Sequence, residues 1–211
     1  MKTEWSHFEN DESLPEVCRA ASIGDLQEVR KLFARGESID STDMFGCSPL
    51  MIASRKGYLE LVQMLLDLGA AIDGPVDSDE VHMTPLMHAT EAGHLDVMLE
   101  LLNRGANVNR SGIYTPLHLA IIRNNFAAAQ LLLNHGASPL VPIRAGASAG
   151  RTSVEEAALT GSVALFALIL KSSNLCERDR LGDLTAIEWL RRNIADVNKI
   201  KVMDEYFTHL G

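Results

Sequence analysis

The chain has 211 residues and a net charge of −9 at pH 7; 46% of its residues are hydrophobic and only 5% are aromatic. Nucleic-acid backbones bind basic surfaces, so this charge argues against a nucleic-acid partner. No uninterrupted apolar run approaches the roughly 18 residues of a membrane-spanning helix, so no membrane association is predicted. The N-terminus lacks a basic region followed by an apolar run, so no secretory signal is predicted either.

Three cysteines, Cys18, Cys47 and Cys176, are spread along the chain. Their number is odd, and their spacing fits neither a metal site nor a redox motif. Unpaired cysteines are typical of proteins in reducing compartments. The sequence therefore predicts a cytoplasmic protein, with export by a non-standard route as the open alternative.

Residues 1–13 are predicted to form an acidic N-terminal arm. Residues 1–16 carry five acidic side chains and one lysine, which supplies close to half of the net charge. Charge runs at chain termini usually lie in solvent. Because Trp5 and Phe8 are costly to expose, the arm is alternatively a docking segment or a cap over the first repeat.

One pattern recurs along the rest of the chain at a spacing of roughly thirty-odd residues, which is typical of stacked repeat arrays. In the first five copies, an anchor is followed nine residues later by glycine or asparagine and seventeen residues later by an apolar pair. A sixth copy is more degenerate. The anchors are Pro15, Ser48, Thr84, Thr115, Thr152 and Thr185.

Each position of the pattern predicts a structural element. The hydroxyl residue at an anchor suits a helix N-cap, and a proline after it suits the first helical position. Copies five and six instead place a glutamate three residues after the cap, as in a capping box (Thr152/Glu155 and Thr185/Glu188). In copy one, the helix is predicted to start at Ser13. A left-handed residue should end each first helix at Gly24, Gly57, Gly93, Asn124 and Gly161.

The pattern resembles the ankyrin repeat over about residues 14–205. The resemblance rests on Asp43-Met44-Phe45-Gly46-Cys47-Ser48-Pro49-Leu50, on Thr84-Pro85-Leu86-Met87-His88-Ala89 with Gly93 and Leu101-Leu102, and on Gly105-Ala106-Asn107-Val108-Asn109. It implies an all-α solenoid of about six helix-turn-helix units with β-hairpin fingers, in which the terminal repeats act as caps. Residues 14–211 then form a single domain, with repeats at 14–40, 41–73, 74–109, 110–140, 141–177 and 178–211.

The connections between repeats, which we call fingers, vary in length. Ser48 lies eight positions after Asp40, but Thr84 lies eleven positions after Asp73. Thr152 lies twelve positions after Leu140, and Thr115 lies only six positions after Asn109. Neutral drift of loops is one explanation, and contact with a partner is the other. On the two lengthened fingers, the candidate partner-binding residues are Asp77, Asp79, Glu80, His82, Arg144 and Arg151.

Two further groups of residues are candidates for partner binding. Apolar residues on the other fingers are candidate anchors, because aromatic residues and methionine are enriched at interfaces; packing between neighbouring fingers is the alternative. The family resemblance also implies contacts from the positions just before the turn of each first helix. The finger group comprises Met44, Phe45, Ile113 and Tyr114. The helix-end group comprises Arg55, Lys56, Glu91 and Arg123.

No catalytic, cofactor-binding or metal-binding residues are predicted. His118 occupies the consensus histidine position, which in this family bonds to the neighbouring backbone. His82 and His88 have no cysteine or histidine at metal-ligand spacing. The sequence contains no nucleophile elbow, phosphate-binding loop or dinucleotide fingerprint.

The resemblance favours a non-enzymatic module that is monomeric on its own and binds a protein partner, for which the acidic charge favours a basic surface. It would act as an adaptor or as an inhibitor that masks its partner. The alternatives are an immunity or antitoxin-like protein that neutralises a toxin, and a secreted effector that binds host proteins. An enzyme with an unrecognised site is the alternative of a different class.

Overall fold

The computed structural model describes residues 14–75, 83–142, 149–173, 190 and 192–208. The chain divides into two compact units, residues 1–107 (unit 1) and 108–211 (unit 2). Within the described residues there are eleven α-helices and no strand. None of these helices is both long and apolar enough to cross a membrane.

Unit 1 consists of three helix pairs. They are α1 (Glu16–Ile23) with α2 (Leu26–Ala34), α3 (Pro49–Lys56) with α4 (Leu59–Asp67), and α5 (Pro85–Ala92) with α6 (Leu95–Asn103). The first helices α1, α3 and α5 pack in one row, and the second helices α2, α4 and α6 pack in another. Leucines such as Leu50, Leu65 and Leu101 are fully buried between the rows; burial of each contributes about 1.5–3 kcal/mol.

Unit 2 contains α7 (Pro116–Ile122) with α8 (Phe126–Asn134), and α9 (Ser153–Leu159) with α10 (Val163–Ser172). A further helix, α11 (Val197–Thr208), packs against α10. Helix α7 contacts α9, and α8 contacts α10, so the two-row arrangement is repeated within this unit. Phe166 and Leu132 are among its fully buried side chains.

Four of the predicted N-caps are confirmed. Ser48, Thr84, Thr115 and Thr152 each accept a hydrogen bond from the backbone N–H three residues later, and proline follows the first three. The carboxylate of Glu155 also accepts from the Thr152 N–H at 2.7 Å, which confirms that capping box. Thr185 and Glu188 lie outside the described residues.

The predicted start of the first helix at Ser13 is wrong. Helix α1 begins at Glu16, and its N-cap is Pro15, which makes no side-chain capping bond. Pro15 has an extended backbone (φ −50, ψ 136). Its ring fixes φ but offers no side-chain acceptor, so the helix starts directly after it.

Most of the predicted turns between paired helices are confirmed. Gly24, Gly57 and Gly93 have φ of 75, 76 and 83, and Asn124 has φ of 49. The prediction for Gly161 is wrong, because α9 ends through Thr160 in a right-handed conformation and Gly161 has no positive φ.

A side chain from another helix explains the different end of α9. The Lys199 Nζ of α11 donates to the carbonyl oxygens of Ala158 at 2.8 Å and Ala157 at 3.2 Å. Carbonyls in the last turn of a helix need partners from outside the helix. Here a buried lysine supplies them, so no left-handed residue is required.

A side-chain acceptor at the end of each of the first three repeats holds the next repeat in register. Within unit 1, Asp40 accepts from the Ala71 N–H and Asp73 from the Asn107 N–H, both at 3.0 Å. Within unit 2, Asn109 accepts from the Ser138 N–H at 2.7 Å. The bonded residues are 31, 34 and 29 positions apart in sequence. The fingers therefore absorb the length differences while this bond is kept.

The fingers contain turns instead of the expected β-hairpins within the described residues. In residues 41–47 the Asp43 N–H donates to the Cys47 carbonyl at 3.0 Å, and in residues 110–114 the Gly112 N–H donates to the Tyr114 carbonyl at 3.1 Å. Single bonds of this kind close a loop without forming a ladder of paired strands. The N-terminal arm with Trp5 and Phe8, as well as Cys176, lies outside the described residues.

Candidate protein-binding surface

The finger before α3 presents two apolar side chains on a turn that Asp43 builds. The Asp43 carboxylate accepts the backbone N–H groups of Phe45 and Cys47, both at 2.9 Å. Gly46 has φ of 77, and its N–H donates to the Asp43 carbonyl at 2.9 Å. Met44 is 62% exposed and Phe45 is 43% exposed. The predicted exposure of both anchors is therefore confirmed, whereas their role in binding stays a prediction.

The opposite end of α3 carries the predicted basic pair. Arg55 and Lys56 are half-buried in its last turn, where positive charge interacts favourably with the helix dipole. The Arg55 carbonyl accepts a hydrogen bond from His94 Nε2 at 3.2 Å. The backbone beneath this pair is thus held by the next repeat.

The charge of Arg55 acts on the neighbouring helix α5. His88 is buried on α5, and burial, with a further contribution from Arg55, lowers the pKa of His88 from 6.5 to about 4. Glu91 follows one turn later and is half-buried. Helices α3 and α5 therefore bring a basic pair, a neutral histidine and one carboxylate onto adjoining elements.

In unit 2, the trimmed finger and the end of α7 hold three predicted residues. Ile113 is exposed and Tyr114 is half-buried. The hydroxyl of Ser111 donates to the Pro142 carbonyl at 3.3 Å, which ties this finger to the start of the next one. Arg123 is exposed at the end of α7, directly before the left-handed Asn124.

Arg151 has a structural contact that the sequence did not indicate. Its guanidinium lies 3.4 Å from the carboxylate of Glu156, a buried residue on α9. Four residues after the anchor, where this repeat has Glu156, copies two and four have Ile52 and Leu119, whereas copies one and three have Arg19 and His88. Because this position varies from apolar to charged, residue type alone did not indicate that Glu156 pairs with Arg151.

His118 has a structural role, although the contacts of its Nδ1 are to side-chain hydroxyls and not to the neighbouring backbone that the family resemblance predicted. It is fully buried, and its Nδ1 lies 2.7 Å from the Thr115 hydroxyl and 3.3 Å from the Ser153 hydroxyl. Burial lowers the pKa of His118 from 6.5 to about 4, although the backbone of Arg151 and Thr152 acts in the opposite direction. A neutral imidazole thus links the starts of α7 and α9.

The other candidates on the lengthened fingers lie outside the described residues. They are Asp77, Asp79, Glu80, His82 and Arg144. Sequence reasoning also missed several exposed apolar residues on helices, among them Ile23 on α1 and Leu99 on α6. Within the described ranges, no group of three or more His, Cys, Asp or Glu side chains is arranged to hold a metal ion.

Helix pairs that form two rows within each unit, joined by fingers that carry exposed apolar side chains, define an all-α repeat protein of the interaction-module class. The family described as "Ankyrin repeats (3 copies)" matches residues 17–112, and "Ankyrin repeat" matches residues 114–143. The chain belongs to the ankyrin repeat family. This confirms the predicted solenoid fold class, and α9 and α10 continue the helix-pair pattern beyond the matched residues.

Two relatives are similar to parts of the chain. Ankyrin repeat-containing protein YIL001W of Saccharomyces cerevisiae is 36% identical over 63 residues, which are 30% of this chain and 12% of that protein. Ankyrin repeat, SAM and basic leucine zipper domain-containing protein 1 of Nomascus leucogenys is 39% identical over 66 residues, which are 31% of this chain and 14% of that protein. The chain thus spans only a small part of the length of each relative.

Proposed function

We propose that this protein is a non-enzymatic module that binds one protein partner through the turn at residues 43–47 and the ends of the first helices. One observation carries the proposal: a turn fixed by the Asp43 carboxylate holds Met44 and Phe45 side by side in solvent. Adjacent exposed apolar side chains on a preformed turn lose little conformational freedom on binding. Phenylalanine and methionine are among the residues enriched in the cores of protein interfaces.

The charged residues on α3 and α5 would add specificity. Arg55 and Lys56 offer donors for carboxylates, whereas Glu91 offers an acceptor. The net charge of −9 acts over a longer range and supports attraction toward a basic partner. An adaptor and an inhibitor that masks its partner both fit this surface. An immunity-like protein that neutralises a basic toxin is one form of such an inhibitor, and an effector that binds host proteins is another version of the module.

The cellular setting forms part of the same proposal. The free thiols of Cys18 and Cys47 support a reducing compartment such as the cytoplasm. Burial, together with the Asp43 carboxylate, raises the pKa of Cys18 to about 12 and that of Cys47 to about 11. Both thiols therefore stay protonated and unreactive, consistent with a structural role.

The test compares the full chain with a Met44→Ser/Phe45→Ser variant as baits in lysate, followed by calorimetry with the recovered partner. We expect the variant to bind at least about tenfold more weakly, as loss of interface anchors does. Leu99→Ser is the matched control, because Leu99 is also an exposed apolar residue of unit 1 but lies on α6. Equal affinity of the anchor variant and the control would exclude the finger turn as the binding site.

A further inference from the structure

A cleft lies at the helix–helix turns of the first two repeats, within unit 1. Its volume is about 390 Å³, which falls in the range of about 300–1,000 Å³ typical of ligand-binding clefts. Its lining residues come from the α1–α2 turn and from the start of α4. They are Ile23, Gly24, Leu26, Tyr58, Leu59, Glu60 and Leu61.

The cleft is separate from the finger turn at residues 43–47, although Ile23 places it beside the end of a first helix. Helix α3 begins just after the finger and ends just before Tyr58, so its eight residues lie between the two sites. An α-helix of that length spans about 12 Å. A substitution at Met44 or Phe45 therefore leaves the cleft intact, and the two sites are testable independently.

The walls of the cleft are preformed and partly apolar. Ile23 is 58% exposed at the C-terminal end of α1, and Leu26 and Leu59 are half-buried. The Tyr58 ring lies 3.1 Å from the position that a Cβ on Gly24 would take, so ring and backbone are already in close contact. Burying the exposed surface of Ile23 requires an apolar group from elsewhere, because its own helix does not cover it.

The charge beside the cleft comes from carboxylates, of which Glu60 alone is a lining residue. Glu60 is one of the lining residues, and the exposed Asp25 sits in the chain between the lining residues Gly24 and Leu26. Around the cleft, within residues 14–75, no lysine or arginine is among the lining residues. Both carboxylates also stabilise the helix ends they occupy, since Asp25 caps α2 and Glu60 lies in the first turn of α4. Only the combination with an exposed apolar wall points to a ligand.

We propose that this cleft docks a protein partner through an apolar side chain that is followed by a basic one. The apolar side chain covers Ile23 and Leu59, and the basic group faces Glu60 and Asp25. These carboxylates disfavour occupation by the chain's own N-terminal arm, in which acidic residues surround Trp5 and Phe8. The cleft is thus a second contact site whose partner chemistry differs from that of the finger.

Methyl NMR of the full chain tests the proposal with two capped peptides. One peptide has two leucines followed by two lysines between glycine and serine spacers, and the other has two glutamates in place of the lysines. We expect the Ile23 methyl signal to shift saturably with the lysine peptide and to respond much more weakly to the glutamate peptide. No saturable shift with the lysine peptide, or equal shifts with both, would overturn the proposal.

Three variants of the full chain make the test specific. Glu60→Gln should weaken binding of the lysine peptide about twofold to fivefold, as loss of one exposed charge pair does. Ile23→Ser, followed through the Leu59 methyl signals, should abolish the saturable shift, and Leu99→Ser should leave it unchanged. A Trp5→Ala/Phe8→Ala chain should keep its Ile23 signal in place; a displaced signal there would show that the arm occupies the cleft and would contradict the proposal.

Discussion

Helix α3 in unit 1 and helix α9 in unit 2 end in different ways, although a glycine stands nine residues after each anchor. After α3, Gly57 is left-handed, and the His94 ring of the next repeat packs where a Cβ would lie, 2.6 Å away. After α9, Gly161 has no positive φ, and Lys199 of α11 satisfies the last carbonyls. Gly57 is needed because its φ is positive, whereas the backbone at Gly161 does not require a glycine.

This difference shows that one position of a repeat can be served by different chemistry in different copies. Unit 1 also places the sulfurs of Met51 and Met87 near the N–H groups of its caps, at 3.4 and 3.5 Å. Unit 2 places His118 at the equivalent position, 2.7 Å from the Thr115 hydroxyl. Substitutions at equivalent positions of the two units should therefore have unequal effects.

The largest expected effect comes from Gly57→Ala, which we expect to destabilise the protein by about 3 kcal/mol. Left-handed alanine costs about 1–2 kcal/mol, and overpacking against the His94 ring adds about 1–3 kcal/mol. Gly161→Ala is the matched variant. The Cβ of the new alanine would lie 3.0 Å from the Ala157 carbonyl oxygen, but the backbone at residue 161 has no positive φ and would not be strained. Its effect should stay within about 1 kcal/mol. Urea unfolding of both variants measures this contrast, and equal losses would refute it.

The next effect concerns the loss of stability at acidic pH, which His118→Met should reduce. The substitution places methionine where unit 1 has Met51 and Met87. The pKa of His118 is about 4 in the folded protein and 6.5 when unperturbed. As the pH falls below 6.5, the histidine is protonated in the unfolded chain before it is protonated in the folded protein. Its contribution to the free energy of unfolding is therefore complete above pH 6.5 and is lost progressively between pH 6.5 and pH 4. Between pH 7 and 4.5 this histidine should account for about 2 kcal/mol.

Urea unfolding of the wild-type and substituted chains at pH 7 and 4.5 measures that difference. His88, whose pKa is also lowered to about 4, contributes a second step that His118→Met leaves in place. His88→Leu should remove that step, and the chain with both substitutions should show neither step. If all of these chains lose the same stability on acidification, neither histidine carries the effect.

The sequence predicted the features that depend on a few neighbouring residues. The Thr84 cap and the turn at Gly93 form within one repeat, so residue type and spacing were sufficient to locate them. It failed at Gly161, because the end of α9 depends on Lys199, which lies about forty residues further along the chain and reaches α9 only after the helices pack. It also did not reveal the ion pair between Arg151 and Glu156, whereas the role of Arg151 in binding stays a prediction. The cleft beside Ile23 was missed for the same reason, since two turns more than thirty residues apart create it.

The smallest of these effects is expected for Lys199→Met, which keeps the length of the side chain but removes both hydrogen bonds to the end of α9. Burial lowers the pKa of Lys199, so part of the stabilisation from its bonds is offset by the cost of burying its charge. The net loss of stability should therefore be about 1–2 kcal/mol. Lys201→Met is the control, because Lys201 is exposed on the same helix and its substitution should change stability by less than about 0.5 kcal/mol.

Hydrogen exchange in the Lys199→Met chain should also quicken at the amide of Gly161, which donates to Ala157 at the loosened end of α9. If exchange there were unchanged while the protein lost stability, Lys199 would act through packing of α11 and not by satisfying the carbonyls that a left-handed glycine satisfies in unit 1.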